Sequence, residues 1–131
     1  MEFRDHLPPK CPPSDANSRK MEVYSLVDSD PPTEKDFLSF KERRPEKEFD
    51  DDILACQSCG LSVYTDCSGI ELAKKVSRSL KKKKLAKGML SENSGKIKNT
   101  PSRNTGDTHH TWWPNRDLNA HQLFSIVSQN S

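Results

Sequence analysis

Alternation of apolar and polar residues predicts three strands. Residues 21–27 alternate in part, with Met21 and Val23 on one face. In residues 60–65, Leu61 and Val63 share one face while Ser62 and Tyr64 take the other, because successive strand side chains point to opposite sides. A third strand is predicted around the segment Thr111-Trp-Trp, which interrupts a polar stretch. One of its indoles is expected in the core and the other near the surface.

Helical spacing and capping residues predict about three helices. Thr33 and Asp36 resemble a capping box ahead of a helix over 33–43. Ser68 and Glu71 form a second box, and the apolar residues that follow predict a helix over at least 69–80 that buries Val76 and Leu80. Asp117 is expected to cap a last helix with Leu118, Phe124 and Val127 on one face. Residues 81–90 fit either an extension of the second helix or a strand.

This order of elements predicts the α+β class: a single small domain with a mixed sheet, about three helices and a disordered N-terminal tail. Apolar residues make up 31% of the 131 residues, below the roughly 45–50% that an average domain reaches on a count that also includes Gly, which indicates a small core. Residues 1–19 contain two Pro-Pro pairs and few apolar residues, so they are predicted to be the tail, with Cys11 as a free thiol. Residues 20–131 are predicted to form the domain.

The N-terminus carries acidic residues and prolines where a secretory signal needs an apolar run. We therefore expect a cytoplasmic protein with reduced thiols. Apolar stretches are too short for a bilayer span of roughly 20 residues, so no membrane association is expected.

Charge is distributed unevenly along the chain. Residues 1–72 hold 9 basic and 16 acidic side chains, whereas residues 73–131 hold 12 and 3. The excess is concentrated in one basic patch, which consists of Lys74, Lys75, Arg78, Lys81, Lys82, Lys83, Lys84 and Lys87. Such a patch can hold phosphates of a nucleic acid without reading sequence, since lysine is a hydrated point charge. Alternatively, it is a solvated helix face, or it faces the acidic run at 46–52.

Two further segments are candidates for chemistry. Cys56 and Cys59 have the C-x-x-C spacing of a zinc knuckle, and Cys67 follows as a third ligand. The alternatives are a thioredoxin-like redox pair or simply reduced, partly buried thiols. The zinc possibility aside, the sequence predicts no cofactor.

The second segment is His109-His-Thr-Trp-Trp-Pro114, in which a histidine can transfer protons near neutral pH. With the strand over 60–65, it supplies a candidate pocket made of Ser62, Tyr64, His110, Thr111 and Trp113. The competing interpretation is core packing around a hydrogen-bonded histidine. No Ser/His/Asp set, P-loop or HExxH motif is present, so the sequence does not predict a common hydrolase or nucleotide enzyme.

Four short segments resemble those of small uncharacterised bacterial proteins with Tyr-Arg, Pro-Pro-x-x-x-Asp-Phe, Leu-Ser-Val-Phe and His-x-Thr-x-Trp motifs. The counterparts here are Tyr24-Ser25, Pro31–Phe37, Leu61–Tyr64 and His109–Trp113. More distantly, the layout is similar to the ADP-ribosyltransferase-like fold, which implies an NAD-holding Arg or His, a serine and a late glutamate. Ser25 stands where the Arg would be, Ser62 matches the serine, and no acidic residue lies beside the tryptophan pair.

Together these observations predict a small cytosolic binding or accessory protein without catalytic activity, acting through another protein, for example in the manner of an antitoxin. Two alternatives stay open. One is a zinc-stabilised binding module using the C-x-x-C pair, and the other is an ADP-ribosyltransferase-like enzyme or an inactive relative of one.

Overall fold

The computed structural model describes residues 1–127, so the last four residues of the predicted domain lie outside it. Strands and helices alternate only loosely along the chain. The strands are Met21–Val27 (β1), Leu61–Tyr64 (β2), Lys84–Leu90 (β3), Gly95–Asn99 (β4), His109–Pro114 (β5) and Phe124–Ile126 (β6). The helices are Phe40–Arg43 (α1), Asp52–Ser58 (α2) and Cys67–Val76 (α3), and there are short 3-10 helices at Glu34–Phe37, Arg78–Leu80 and Ala120–Leu123.

The six strands form one sheet in the order β4-β5-β2-β1-β3-β6, which confirms the predicted α+β class and single domain. We expected a mixed sheet, but each pairing between described strands is antiparallel. The reason is the position of β1. Strands β2 and β3 run in the same direction and are joined through α3, yet β1 lies between them and pairs with both.

One side of the sheet, here called the inner face, carries the main core. Val23, Val63 and Trp112 are fully buried there, and Phe37 and Phe124 cover them with ring centroids 4.8 Å apart. Burial of Leu61, Val63 and an indole is therefore confirmed. The expected burial of Val76 is wrong: its side chain is 54% exposed, because α3 presents Ile70 and Ala73 to the sheet instead.

The opposite side, here called the outer face, has two separate covers. Helix α3 packs over Tyr64 through Ile70 and Ala73. The N-terminal segment and α2 pack over Trp113, whose indole N–H donates a 2.9 Å hydrogen bond to the carbonyl of Cys56. Both indoles are consequently fully buried, on opposite faces, where one was expected near the surface.

Residues 1–19 are packed, which corrects the prediction of a disordered tail. Phe3 and Asn17 form bridges to Asn115 and Ile97, and Ala16 is buried. The segment was predicted to be disordered from its low apolar content. Its few apolar residues, however, are the ones that contact the Trp113 cluster, and a disulfide between Cys11 and Cys56 fixes it to α2.

Local structure departs from the sequence prediction in the helices. The helix predicted over 33–43 is split into a 3-10 turn and α1, and Ser39 caps α1 by accepting a hydrogen bond from the Glu42 N–H. Helix α2 was missed; Asp51 caps it by accepting from the N–H groups of Ile53 and Leu54. Helix α3 starts earlier and ends sooner than predicted, with Asp66 as its cap.

Three strands form where the sequence predicted another structure or left the choice open. Residues 84–90, left open between helix and strand, form β3. The last predicted helix is wrong: the segment forms a 3-10 turn and then β6, because Phe124 pairs with Gly88 of β3. Strand β4 lies within residues 91–108, whose Ser, Asn, Gly and Thr content predicts a hairpin tip and loop, and it pairs with β5.

Candidate functional site

The structure brings four of the five predicted pocket residues to the outer face. Ser62 and Thr111 are register partners on the neighbouring strands β2 and β5, and Tyr64 and Trp113 lie on the same side. His110 does not join them. It pairs with Val63, an inner-face residue, and its Nδ1 lies 2.8 Å from the carbonyl of Thr108.

His109 takes the position that we had assigned to His110. Its Nε2 lies 3.0 Å from the Ser62 hydroxyl, and its Nδ1 lies 2.8 Å from the backbone carbonyl of Thr100. A carbonyl only accepts hydrogen bonds, so the proton of the neutral ring is on Nδ1. Nε2 then presents its lone pair, and the Ser62 hydroxyl donates to it.

Further polar and aromatic contacts hold the imidazole in place. The Thr100 hydroxyl lies 3.0 Å from Nδ1 and 2.8 Å from the hydroxyl of Thr111, which is itself buried. The ring of Tyr64 meets the imidazole edge-on with centroids 5.3 Å apart. Ser62 is the exposed end of this chain of contacts, so it is the member that a molecule in solution can reach.

The protonation of His109 follows from its surroundings. Burial lowers the pKa of the imidazole, and the neighbouring His110 lowers it further, while the hydrogen bond to Thr100 acts in the opposite direction. The net pKa is below the ordinary value of 6.5. The ring is therefore neutral near pH 7 and can accept a proton at Nε2.

His109 and Thr100 were not among the predicted pocket residues, for different reasons. Residues 109, 111 and 113 share one face of any strand, so alternation alone selects His109 as the partner of Thr111 and Trp113. Thr100 follows β4 and reaches the site through the register of β4 with β5, which the sequence does not reveal.

The three cysteines proposed as zinc ligands do not come together. Cys56 is bonded to Cys11, and Cys67 is exposed at the start of α3. Cys59 is buried; its thiol lies 3.4 Å from the His6 carbonyl, and burial raises the pKa of the thiol. Within residues 1–127 no group of three His, Cys, Asp or Glu side chains is placed to hold a metal ion. A Cys56 thiolate is not available while the disulfide is intact.

The basic patch divides into two parts. Lys83 forms a salt bridge of 3.2 Å with Asp28, Lys84 donates to the Asp28 carbonyl, and Lys87 lies 4.0 Å from Glu22. These three lysines are thus held against β1, and not against the acidic run at 46–52. The remaining members, which we call the basic end, are Lys74, Lys75, Arg78, Lys81 and Lys82.

The basic end lies at and beyond the last turn of α3. Lys75, Arg78, Lys81 and Lys82 are exposed there. No member of the basic end forms a salt bridge with any residue from 1 to 127. Val76 is exposed between them, so the surface combines several free cations with one apolar side chain.

A cavity of about 590 Å³ lies elsewhere, between the N-terminal segment and the 3-10 turns. Its two arginines are already paired. Arg4 lies 2.9 Å from Glu42, and Arg116 lies 3.3 Å from Glu2. Its lysine, Lys41, donates to two backbone carbonyls, and its lining also carries carboxylates, so the cavity attracts an anion less than the basic end does.

Comparison with protein-family models, curated proteins and solved structures finds no match for this chain. The resemblances to small bacterial proteins and to the ADP-ribosyltransferase-like fold therefore stay predictions. Within residues 1–127 no helix has both the length and the apolar character to cross a membrane.

Proposed function

We propose that the protein is a binding protein that docks onto an acidic surface of a partner protein through its basic end. The observation that carries the proposal is the set of exposed cations without a salt-bridge partner in residues 1–127. Opposite charge across an interface accelerates association and selects the partner.

A purely structural role accounts for only part of the cluster. Lys74 and Lys75 occupy the last turn of α3, where cations stabilise the carbonyl end of a helix. Arg78, Lys81 and Lys82 lie beyond that turn, so the helix dipole gives no reason for them. These three charges are therefore available to a binding partner.

An acidic protein fits this surface better than a nucleic acid does. Proteins that read or stack on bases use arginine, asparagine or aromatic side chains, and this surface has one arginine and no aromatic residue. Exposed Val76, which lies between Lys75 and Arg78 in the sequence, gives an apolar contact that a phosphate backbone does not need.

The test compares two variants with the same change in charge. One replaces Arg78, Lys81 and Lys82 with Glu, and the control replaces the exposed residues Arg19, Lys20 and Lys35 with Glu. Partners captured from the native host are identified, purified and titrated against both variants over a range of salt concentrations. Binding to a 20-base-pair DNA duplex is measured in parallel by fluorescence anisotropy.

We expect a purified acidic protein to bind the natural chain and the control variant equally, and the basic-end variant at least roughly tenfold more weakly, with affinity falling as salt rises. Equal binding by both variants would overturn the proposal. DNA binding that depends on the basic end, with no acidic protein bound, would replace it with a nucleic-acid role.

A further inference from the structure

We propose that Ser62 is a nucleophile that accepts acyl groups from activated carboxylic esters, with His109 as its general base. This inference goes beyond binding at the basic end and rests on a different surface. It starts from the outer-face contacts of β2 and β5, which place a hydroxyl, an imidazole and an orienting oxygen in one line.

The Ser62 hydroxyl lies within hydrogen-bond reach of a base. A serine becomes reactive when a base lies within hydrogen-bond reach of its hydroxyl, and the Ser62 Oγ to His109 Nε2 distance is 3.0 Å. The Thr100 carbonyl, 2.8 Å from Nδ1, keeps the ring proton on that side. It thereby fills the orienting position that a carboxylate occupies in a Ser-His-Asp triad, with less charge.

The imidazole is held in a fixed orientation, and the Ser62 hydroxyl is accessible to solvent. The hydroxyls of Thr100 and Thr111 and the edge contact with Tyr64 fix the ring plane, so Nε2 is already directed at Ser62 before a substrate arrives. The base is largely covered, while the nucleophile is exposed. Thr100 is a positioning residue in this arrangement, because it acts on the substrate only through His109.

The reaction proceeds in two balanced steps. Ser62 Oγ bonds to the ester carbonyl carbon as its proton moves to His109 Nε2. The bond from that carbon to the leaving oxygen then breaks while the imidazolium gives its proton to that oxygen, which releases the alcohol or phenol and leaves His109 neutral again. In the second step, water attacks the acyl carbon while His109 takes the water proton. The carbon–Oγ bond breaks, the proton returns to Ser62, and a carboxylate leaves.

The test uses p-nitrophenyl acetate and a fluorophosphonate as probes on the full chain, with peptide mapping to locate the modified residue. Ser62→Ala removes the nucleophile and His109→Gln removes the base. Ser125→Ala is the matched control, because Ser125 is an exposed strand serine on β6. Circular dichroism checks that each variant is folded.

We expect both probes to modify Ser62 in the natural chain and in the Ser125→Ala variant, and to leave position 62 unmodified in Ser62→Ala. In His109→Gln, the rate at which Ser62 is modified should be on the order of 100-fold lower than in the natural chain. The proposal is overturned if the probes modify Ser62 no faster than Ser125, or if p-nitrophenyl acetate acetylates only amines. If His109→Gln does not fold, labelling of Ser62 by the fluorophosphonate in the natural chain still decides the question.

Discussion

The Cys11→Ser variant should unfold at a much lower urea concentration than the natural chain. The disulfide joins residues 45 positions apart, and a cross-link of that length lowers the chain entropy of the unfolded state. For a loop of this size the loss corresponds to about 4 kcal/mol of folding free energy. That is a large share of the roughly 5–15 kcal/mol by which a small domain is stable.

Tryptophan fluorescence in a urea titration measures this loss, because Trp113 is buried beneath the segment that the disulfide fixes. The Cys67→Ser variant is the control, since Cys67 is a free, exposed thiol. We expect the control to unfold like the natural chain. In excess reductant, the natural chain and the Cys11→Ser variant should unfold at the same urea concentration.

Counting the free thiols tests whether the disulfide between Cys11 and Cys56 is present. Of the four cysteines in the chain, the structure leaves Cys59 and Cys67 free. Air-oxidised protein, denatured without reductant, should therefore react with two equivalents of a thiol reagent. Four equivalents would show that Cys11 and Cys56 are not bonded, and the Cys11→Ser variant would then lose no cross-link.

Three further changes test the sheet and its outer face. Gly60→Ala should lower stability by about 1–3 kcal/mol, because the new methyl group would overlap the Thr111 side chain; unchanged urea unfolding would contradict the close approach of the strands. Trp113→Phe should cost about 1–3 kcal/mol, because it removes the indole hydrogen bond to the Cys56 carbonyl, which keeps only the Cys59 N–H as donor within residues 1–127, and leaves part of a fully buried site unfilled; a negligible change would show that neither the hydrogen bond nor the indole volume stabilises this cluster. Because folding lowers the pKa of His109, the unfolded chain binds its proton more readily, and stability should decrease as pH falls below about 6.5. The same titration of His109→Gln should show a smaller decrease, and identical slopes would assign the pH dependence to other groups.

Three of the six described strands could be predicted because their signals are local. Alternation in 21–27 and 60–65 shows both the strand and its faces, and those strands are observed. The last helix was predicted wrongly for an equally physical reason. Leu118, Phe124 and Val127 have helical spacing, but Phe124 gains more by packing on Phe37 and pairing with Gly88, and tertiary contact overrides local pattern.

The candidate site was predictable only in part. Ser62, Thr111 and their common face follow from strand alternation, and the same rule would have selected His109. Thr100 depends on how β4 pairs with β5. The packed N-terminus depends on a bond between Cys11 and Cys56, and cysteine spacing alone does not determine which cysteines pair.

The two edge strands, β4 and β6, differ in how far their backbones are open to pairing with another strand. Strand β6 offers only three residues to an incoming chain. Strand β4 is longer, but Asn17 exchanges both backbone hydrogen bonds with Ile97 at its centre, at 2.9 and 2.8 Å. The N-terminal segment therefore occupies the middle of the β4 edge, and its removal would expose that backbone to pairing with another chain.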